Sequence, residues 1–137
     1  ISGPLLDRID IRIDVPAVSA TDLITPGAAE TSAAVAERVA AARAIQRERF
    51  AALGVAATTN AGCSPSLIET VAAPDAAAAA LLRNAAEAMK LSARGYHRVL
   101  KVARTLADLD GADTVGRIHL AEALSYRALG DRLAAAA

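Results

Sequence analysis

Helical periodicity runs through most of the chain and restricts it to a mainly α-helical fold. Alanine fills 37 of the 137 positions and only three residues are aromatic, a composition that favours closely packed helices over a sheet. Between residues 31 and 132, apolar side chains recur at helical spacing in about five segments. The sequence therefore predicts a small bundle of about five helices around one core.

Capping residues and glycine mark the ends of these helices. Thr31 or Ser32 begins the first helix and Gly54 ends it, whereas Ser64 begins a short second helix and Ser92 caps the fourth. The third helix is predicted over residues 76–90, and the fifth carries Ile118, Ala121, Leu124 and Ala128 at heptad-like spacing.

The fourth helical segment has two chemically different faces. On a helical wheel, apolar side chains gather on one side and basic side chains on the other. The basic face, called the basic ridge below, is either a solvated surface or an anion-binding one. The apolar face contains Tyr96, Val99, Leu100, Ala103, Leu106 and Ala107, and the basic ridge contains Arg94, Arg98, Lys101 and Arg104.

One segment near the start of the chain has the alternation of a strand. From Ile9 to Val15, four apolar β-branched residues alternate with three charged ones, which is typical of a half-buried strand. No later segment offers a partner, so we expect an orphan strand whose sheet lies elsewhere in a longer polypeptide. Ile1, in place of methionine, favours the same interpretation. Residues 17–30 are predicted to be a linker.

Charge and spacing argue against several classes of function. The 15 basic and 15 acidic side chains cancel, so no overall field attracts nucleic acid or a membrane. Cys63 is the only cysteine and is expected to be buried, while His97 and His119 lie on different helices without a third ligand, so no metal site is expected. There is no phosphate-binding glycine loop, no nucleophile motif and no long apolar run, which favours a cytoplasmic location.

Three blocks of sequence carry a resemblance to a known family. They are SGPLLDRIDIRIDVP (residues 2–16), LSARGYHRVLKVARTLADLDG (residues 91–111) and HLAEALSYR (residues 119–127). Together they resemble the C-terminal part of the magnesium-chelatase-like AAA+ ATPases. Within that family they are most similar to the competence-associated ComM branch of DNA branch-migration helicases.

This resemblance implies a domain organisation and a set of partners. Residues 1–16 would be the end of an AAA+ core with its last strand, and residues 31–137 the α-helical lid that covers the nucleotide. The full-length protein would use ATP and Mg²⁺ and would form a homo-oligomeric ring that acts on DNA. Because the Walker motifs of such a core are missing from the sequence, the chain alone is expected neither to bind ATP tightly nor to hydrolyse it.

The resemblance also implies roles for three arginines. From spacing alone, Arg8 is expected to pair with Asp7 and Asp10. LLDRID is nevertheless similar to the LLSRFD-type motif of minichromosome-maintenance helicases, which makes Arg8 an arginine finger for a neighbouring subunit, with Asp7 where those helicases have serine. Arg94 matches the lid arginine called sensor 2, which contacts the terminal phosphate. Arg98, one turn further on, is the alternative.

Three other functions are compatible with the sequence. The chain can be the lid of a magnesium-chelatase motor that drives metal insertion into a porphyrin. It can be a helical DNA-binding module that uses the basic ridge, in which case its affinity should fall steeply with salt. It can also be a purely structural oligomerisation module, in which neither Arg8 nor Arg94 would matter to ATP hydrolysis.

Overall fold

A computed structural model describes residues 5, 7–20, 24 and 29–135, with side chains described up to residue 128. Within these residues there are five α-helices and one 3₁₀ turn, which confirms the predicted mainly α-helical fold. The helices are α1 (Ser32–Ala52), α2 (Pro65–Val71), α3 (Ala76–Ala88), α4 (Ala93–Leu109) and α5 (Arg117–Ala135), and the 3₁₀ turn covers Asn60–Gly62.

The helix ends lie close to where the sequence predicts them. The hydroxyl groups of Thr31, Ser64 and Ser92 each accept a hydrogen bond from a backbone N–H three residues later, at 3.0–3.2 Å. Gly54, just after α1, has a φ of +64°, and Gly111, just after α4, has a φ of +66°. Glycine adopts this left-handed conformation without steric cost, so both helices stop where the sequence supplies it.

Residues 9–15 contain no strand, so the predicted orphan strand is wrong for this structure. They have no regular structure, and their apolar side chains are 38–77% exposed. A strand needs a hydrogen-bonded neighbour, and the only β-type pairing in the described residues is an isolated bridge between Pro74 and Val115. The backbone N–H of Arg12 instead donates to the carbonyl oxygen of Tyr126 on α5, at 3.2 Å.

The predicted linker is only partly described. Residues 17–19 have no regular structure, whereas Ala20 and Ile24 have helical backbone, and the division of the chain into core end, linker and lid stays a prediction. Residues 21–23 and 25–28 lie outside the described residues, as do residues 1–4 and 6.

Helix α4 lies at the centre of the fold. It packs against α1, α2, α5 and the 3₁₀ turn, while α3 packs against α5. The predicted apolar face of α4 is confirmed, because Val99 and Ala103 are fully buried and Tyr96 and Leu106 are half-buried in the same core. The core therefore forms around one helix that is covered on several sides.

The basic ridge of α4 is not a continuous solvated surface, which corrects the prediction. Arg104 is only 1% exposed, and the ammonium group of Lys101 donates to the carbonyl oxygen of Ala61 at 2.8 Å. Arg98 is half-buried and forms an ion pair described below. A helix covered on several sides has no uninterrupted solvent-facing side, so of these four residues only Arg94 is exposed.

The buried stripe of α5 differs from the predicted one. Ile118 is 71% exposed and Ala121 and Ala128 are also exposed, so only Leu124 of the predicted set is buried. The buried positions instead follow the i, i+3, i+4, i+7 spacing of a helix that packs on one side. They are Leu120, Ala123, Leu124 and Arg127, and His119 beside them is also buried.

A buried charge cluster joins α4 to α1 and to the 3₁₀ turn. Asp108, 1% exposed, accepts hydrogen bonds from Arg104 Nε at 3.0 Å and Asn60 Nδ2 at 2.8 Å, and it also forms an ion pair with Arg49. Two further nitrogens of Arg104 donate to backbone carbonyls of the loop after α4, at 2.5 and 2.9 Å. We call these four side chains the Asp108 cluster.

The charges in the Asp108 cluster compensate one another. Burial alone would raise the pKa of Asp108, but the hydrogen bonds from Arg49 and Asn60 and the charge of Arg104 together hold that pKa below its usual 3.8. Burial lowers the pKa of Arg104, and the carboxylate of Asp108 opposes this change. Removal of one partner would therefore leave the other as an uncompensated buried charge.

Replacement of Asp108 by asparagine is expected to lower the free energy of unfolding by about 3–5 kcal/mol, because Arg104 loses its buried counter-charge. Urea unfolding followed by circular dichroism measures the change. The control is Glu30→Gln, which removes one side of an exposed ion pair with Arg38 and should cost no more than about 1 kcal/mol. Equal losses in the two variants would show that the Asp108 cluster does not stabilise the fold.

The lowered pKa of Asp108 also predicts a specific loss of stability in acid. A carboxyl group whose pKa is lower in the folded state stabilises that state above its unfolded-state pKa, here 3.8, and this contribution is lost as the pH falls through the folded-state pKa. The difference in unfolding free energy between the wild type and Asp108→Asn should therefore shrink as the pH drops below about 4. A difference that stays constant in acid would contradict the assignment.

Candidate functional site

The candidate site lies at the N-terminal end of α4. Ser92 Oγ accepts a hydrogen bond from the backbone N–H of Gly95 at 3.0 Å and so fixes the first turn of the helix. Arg94 lies on that turn, is exposed, and makes no hydrogen bond or ion pair with the residues that the structure describes. Its charge adds to the partial positive charge that any helix carries at this end.

The N-terminal segment is held against this end of α4 through Asp7. One carboxylate oxygen of Asp7 accepts a hydrogen bond from Ser92 Oγ at 2.6 Å, and the other accepts one from Arg127 Nη2 at 2.8 Å. Arg127 Nη1 also donates to the carbonyl oxygen of Ile9 at 3.4 Å. Ser92 therefore caps the helix and binds the segment at the same time.

Arg127 reaches Asp7 by passing close to Gly95. The side chain of Arg127 is only 5% exposed. A Cβ atom at position 95 would lie 3.2 Å from Arg127 Nη2 and 3.4 Å from Ser92 Oγ. Glycine at this position therefore gives the guanidinium the room it needs to cross the first turn of α4.

Arg98 holds the segment at a second point. Its guanidinium forms an ion pair with Asp10, and the two side chains are 28% and 43% exposed. Because the pair is partly shielded and one partner is an arginine fork, it constrains the geometry more than an exposed lysine pair would. Asp7 and Asp10 are thus both fixed to the helical bundle, by α5 and α4 respectively.

Arg8 does not pair with the aspartates beside it, so the pairing expected from spacing alone is wrong. Both aspartates are held by arginines of the helices, and no residue that the structure describes forms an ion pair or hydrogen bond with the side chain of Arg8. The backbone N–H of Arg8 donates to the carbonyl oxygen of Leu5 at 3.0 Å, which closes a turn. The side chain itself is exposed.

The site combines four arginines with two aspartates. The aspartates neutralise Arg98 and Arg127, whereas Arg8 and Arg94 are exposed and have no described counter-ion. An exposed arginine fork is suited to binding an anion with several oxygen atoms, such as a phosphate, so each of these two arginines is available for a separate anion. Arg94 is exposed and has no described counter-ion, whereas Arg98, the alternative sensor residue, is paired with Asp10.

Sequence reasoning missed Arg127 and the part played by Asp7 and Asp10. Arg127 has a recognisable signal, because it lies three residues after Leu124 in the buried stripe of α5, where an arginine must have a buried partner. The partner itself has no signal, since it is 120 positions away in the sequence.

The other candidate residues have structural roles. Cys63 is buried, which raises the pKa of its thiol. His97 Nε2 lies 2.8 Å from a glutamate of α2, and His119 Nδ1 accepts a hydrogen bond from Gly116 N–H at 3.0 Å, so its Nε2–H donates to Asp110. In the described part of the chain, no three His, Cys, Asp or Glu side chains are grouped to hold a metal ion. None of the helices described has both the length and the apolar character needed to cross a bilayer.

Several known proteins match this chain over nearly its whole length. The competence protein ComM of Haemophilus influenzae is 43% identical over 130 residues, which are 94% of this chain and 24% of that protein. The uncharacterised protein YifB of Escherichia coli K12 is 40% identical over 136 residues, which are 97% of this chain and 25% of that protein. The uncharacterised protein Rv2897c of Mycobacterium tuberculosis is 39% identical over 132 residues, 96% of this chain and 26% of that protein. The chain thus spans about a quarter of the length of these relatives.

The family match covers most of the helical bundle. Residues 29–127 match the family described as magnesium chelatase, subunit ChlI C-terminal. This range includes Arg94, Arg98 and Arg127, whereas Arg8 precedes it. Together with the relatives, which match 94% and 97% of the chain, the family match confirms the resemblance seen in the three sequence blocks, and the chain belongs to the magnesium chelatase ChlI C-terminal family.

Proposed function

We propose that the chain is the lid domain of a ComM-like AAA+ ATPase motor that acts on DNA. The observation that carries the proposal is the contrast within the candidate site: Arg98 and Arg127 are neutralised by aspartates, while Arg8 and Arg94 are left exposed. These two arginines are also the ones that match an arginine finger and a sensor 2 residue in related ATPases.

In this proposal Arg94 contacts the terminal phosphate of ATP bound to the core of the motor. Negative charge shifts among the phosphate oxygens as the phosphoryl group is transferred, and a positioned guanidinium stabilises that change. Because the contact exists only while the terminal phosphate is present, it also makes the position of the lid depend on hydrolysis. The first turn of α4 adds its backbone dipole to this interaction.

Arg8 serves the ATP site of a neighbouring subunit in the same proposal. Its side chain is exposed, and its backbone lies in a turn that is anchored on both sides, which suits a residue that must project across a subunit interface. The partners are therefore the core of the same polypeptide and the adjacent subunits of a homo-oligomeric ring. ATP and Mg²⁺ are the cofactors of the full-length protein.

The DNA substrate is what the resemblance to the ComM branch implies, and a competence protein that is 43% identical over 94% of this chain supports that branch. The chain itself has a net charge of zero, so we assign the main DNA-binding surface to another part of the motor. The family description also names magnesium chelatase, which favours a second candidate, the lid of a motor that drives metal insertion into a porphyrin. DNA-stimulated hydrolysis by the full-length protein would distinguish the first candidate from the second.

Substitution of the two exposed arginines in the full-length protein tests the proposal. Arg8→Ala is expected to lower the rate of ATP hydrolysis by about 10³-fold or more, as for other arginine fingers. Arg94→Ala is expected to lower it by about 10²-fold or more, because one donor to the developing charge is lost. The measurement is phosphate release at saturating ATP.

The controls separate catalysis from folding. Both arginines are exposed, so each alanine variant should keep its free energy of unfolding within about 0.5 kcal/mol of wild type. Arg38→Ala removes an exposed arginine that is paired with Glu30 on another part of the bundle and should leave hydrolysis unchanged. If either Arg8→Ala or Arg94→Ala hydrolyses ATP at the wild-type rate, the role assigned to that residue is wrong.

A further inference from the structure

Three contacts attach the N-terminal segment to the helical bundle on either side of Arg8. Asp7 accepts hydrogen bonds from Ser92 at 2.6 Å and from Arg127 at 2.8 Å, and Asp10 forms an ion pair with Arg98. We call these five side chains the aspartate clamp. None of them has a role in the function proposed above.

We propose that Arg98 and Arg127 are positioning residues for Arg8. They hold Asp10 and Asp7, and thereby fix the backbone that carries the Arg8 side chain relative to the first turn of α4. This inference rests on the proposed function, in which Arg8 is the finger and Arg94 is the sensor. The contacts would keep these two arginines of one subunit in a constant spatial relation.

The first argument is that an irregular segment needs side-chain contacts to hold it in place. Among the described residues it has no ladder hydrogen bonds, its apolar side chains are mostly exposed, and a backbone bond from Arg12 to Tyr126 joins it to α5. A segment without regular structure would sample many conformations. Each contact that restricts these conformations lowers the entropic cost of placing the Arg8 side chain. The charge-assisted bonds of the aspartate clamp are the strongest contacts available for this purpose.

The second argument is that the fold buries the charged side chain of Arg127 in order to reach this segment. Its side chain is 5% exposed within an otherwise apolar stripe, and it passes Gly95 with almost no spare room. A buried guanidinium is stable only if it is paired, so Arg127 requires a carboxylate at this place. Asp7 supplies that carboxylate. The packing of Arg127 therefore fixes the position of the residue that directly precedes Arg8.

The third argument is that the aspartate clamp and the sensor arginine share one structural element. Ser92 caps α4, Arg94 lies on its first turn, and Arg98 lies one turn later. Movement of this end of α4 on loss of the terminal phosphate would therefore move Asp7 and Asp10, and Arg8 between them. Hydrolysis in one subunit would in this way reposition the finger that the subunit offers to its neighbour.

Amide hydrogen exchange of the full-length protein without nucleotide tests whether the aspartate clamp holds the segment. Asp10→Ala breaks the partly exposed pair with Arg98 and leaves the buried Arg127 untouched, so the bundle should still fold. The Arg12 N–H, which donates to Tyr126, should then exchange about tenfold faster. Asp14→Ala removes the same charge from an exposed position in the same segment and should leave this exchange unchanged. Unchanged exchange in Asp10→Ala would overturn the proposal.

A double-mutant cycle tests whether the aspartate clamp acts through Arg8. Asp10→Ala should lower ATP hydrolysis of the full-length protein by about 10²-fold when Arg8 is present, since a finger misplaced by about 1 Å loses most of its effect. In the Arg8→Ala background the same substitution should change the residual rate, measured with radiolabelled ATP, by less than about twofold. Asp7→Asn, which weakens the other half of the clamp without removing Arg127, should behave in the same way.

The outcomes separate this inference from the proposed function. Equal losses in both backgrounds would show that the aspartate clamp has a structural role only, which overturns the inference and leaves the role of Arg8 intact. Wild-type hydrolysis by Arg8→Ala would overturn the finger assignment, and the exchange of the Arg12 N–H would still report whether the clamp holds the segment.

Discussion

Burial of the Arg104–Asp108 pair on the central helix is the constraint on which the rest of the structure depends. A charge pair that is 1% exposed on both sides must find its remaining partners inside the fold. Arg49 from α1 and Asn60 from the 3₁₀ turn provide them, and the loop after α4 adds two carbonyls. These bonds fix the C-terminal end of α4 within the bundle.

The two ends of α4 use arginine in opposite ways. At the C-terminal end, Arg49 and Arg104 both form ion pairs with the carboxylate of Asp108 and stabilise the fold. At the N-terminal end, two aspartates neutralise the arginines that hold the N-terminal segment, and Arg8 and Arg94 are left exposed. In the proposed motor this difference separates the charges that maintain the domain from those that contact phosphate.

Local features of the fold could be predicted from the sequence, and contacts between distant residues could not. Helix boundaries follow from caps such as Ser92 and from glycines such as Gly54, whose effects extend over a few residues. The alternation from Ile9 to Val15 is real, but a strand also needs a neighbour, and none is described. The ion pair of Asp7 with Arg127 joins residues 120 positions apart, and no spacing rule connects them. The roles proposed for Arg8 and Arg94 come from the family resemblance, and the geometry adds that both side chains are exposed.

Subunit mixing tests most directly the central claim that this domain supplies an arginine to its neighbour's ATP site. Full-length Arg8→Ala protein is mixed with a variant that keeps Arg8 but lacks the Walker A lysine of its core. If Arg8 acts across the interface, the two inactive proteins should together recover roughly a quarter of the wild-type rate of ATP hydrolysis, because that fraction of interfaces in a cyclic ring pairs an intact core with an intact arginine. A mixture no more active than its separate components would contradict the account.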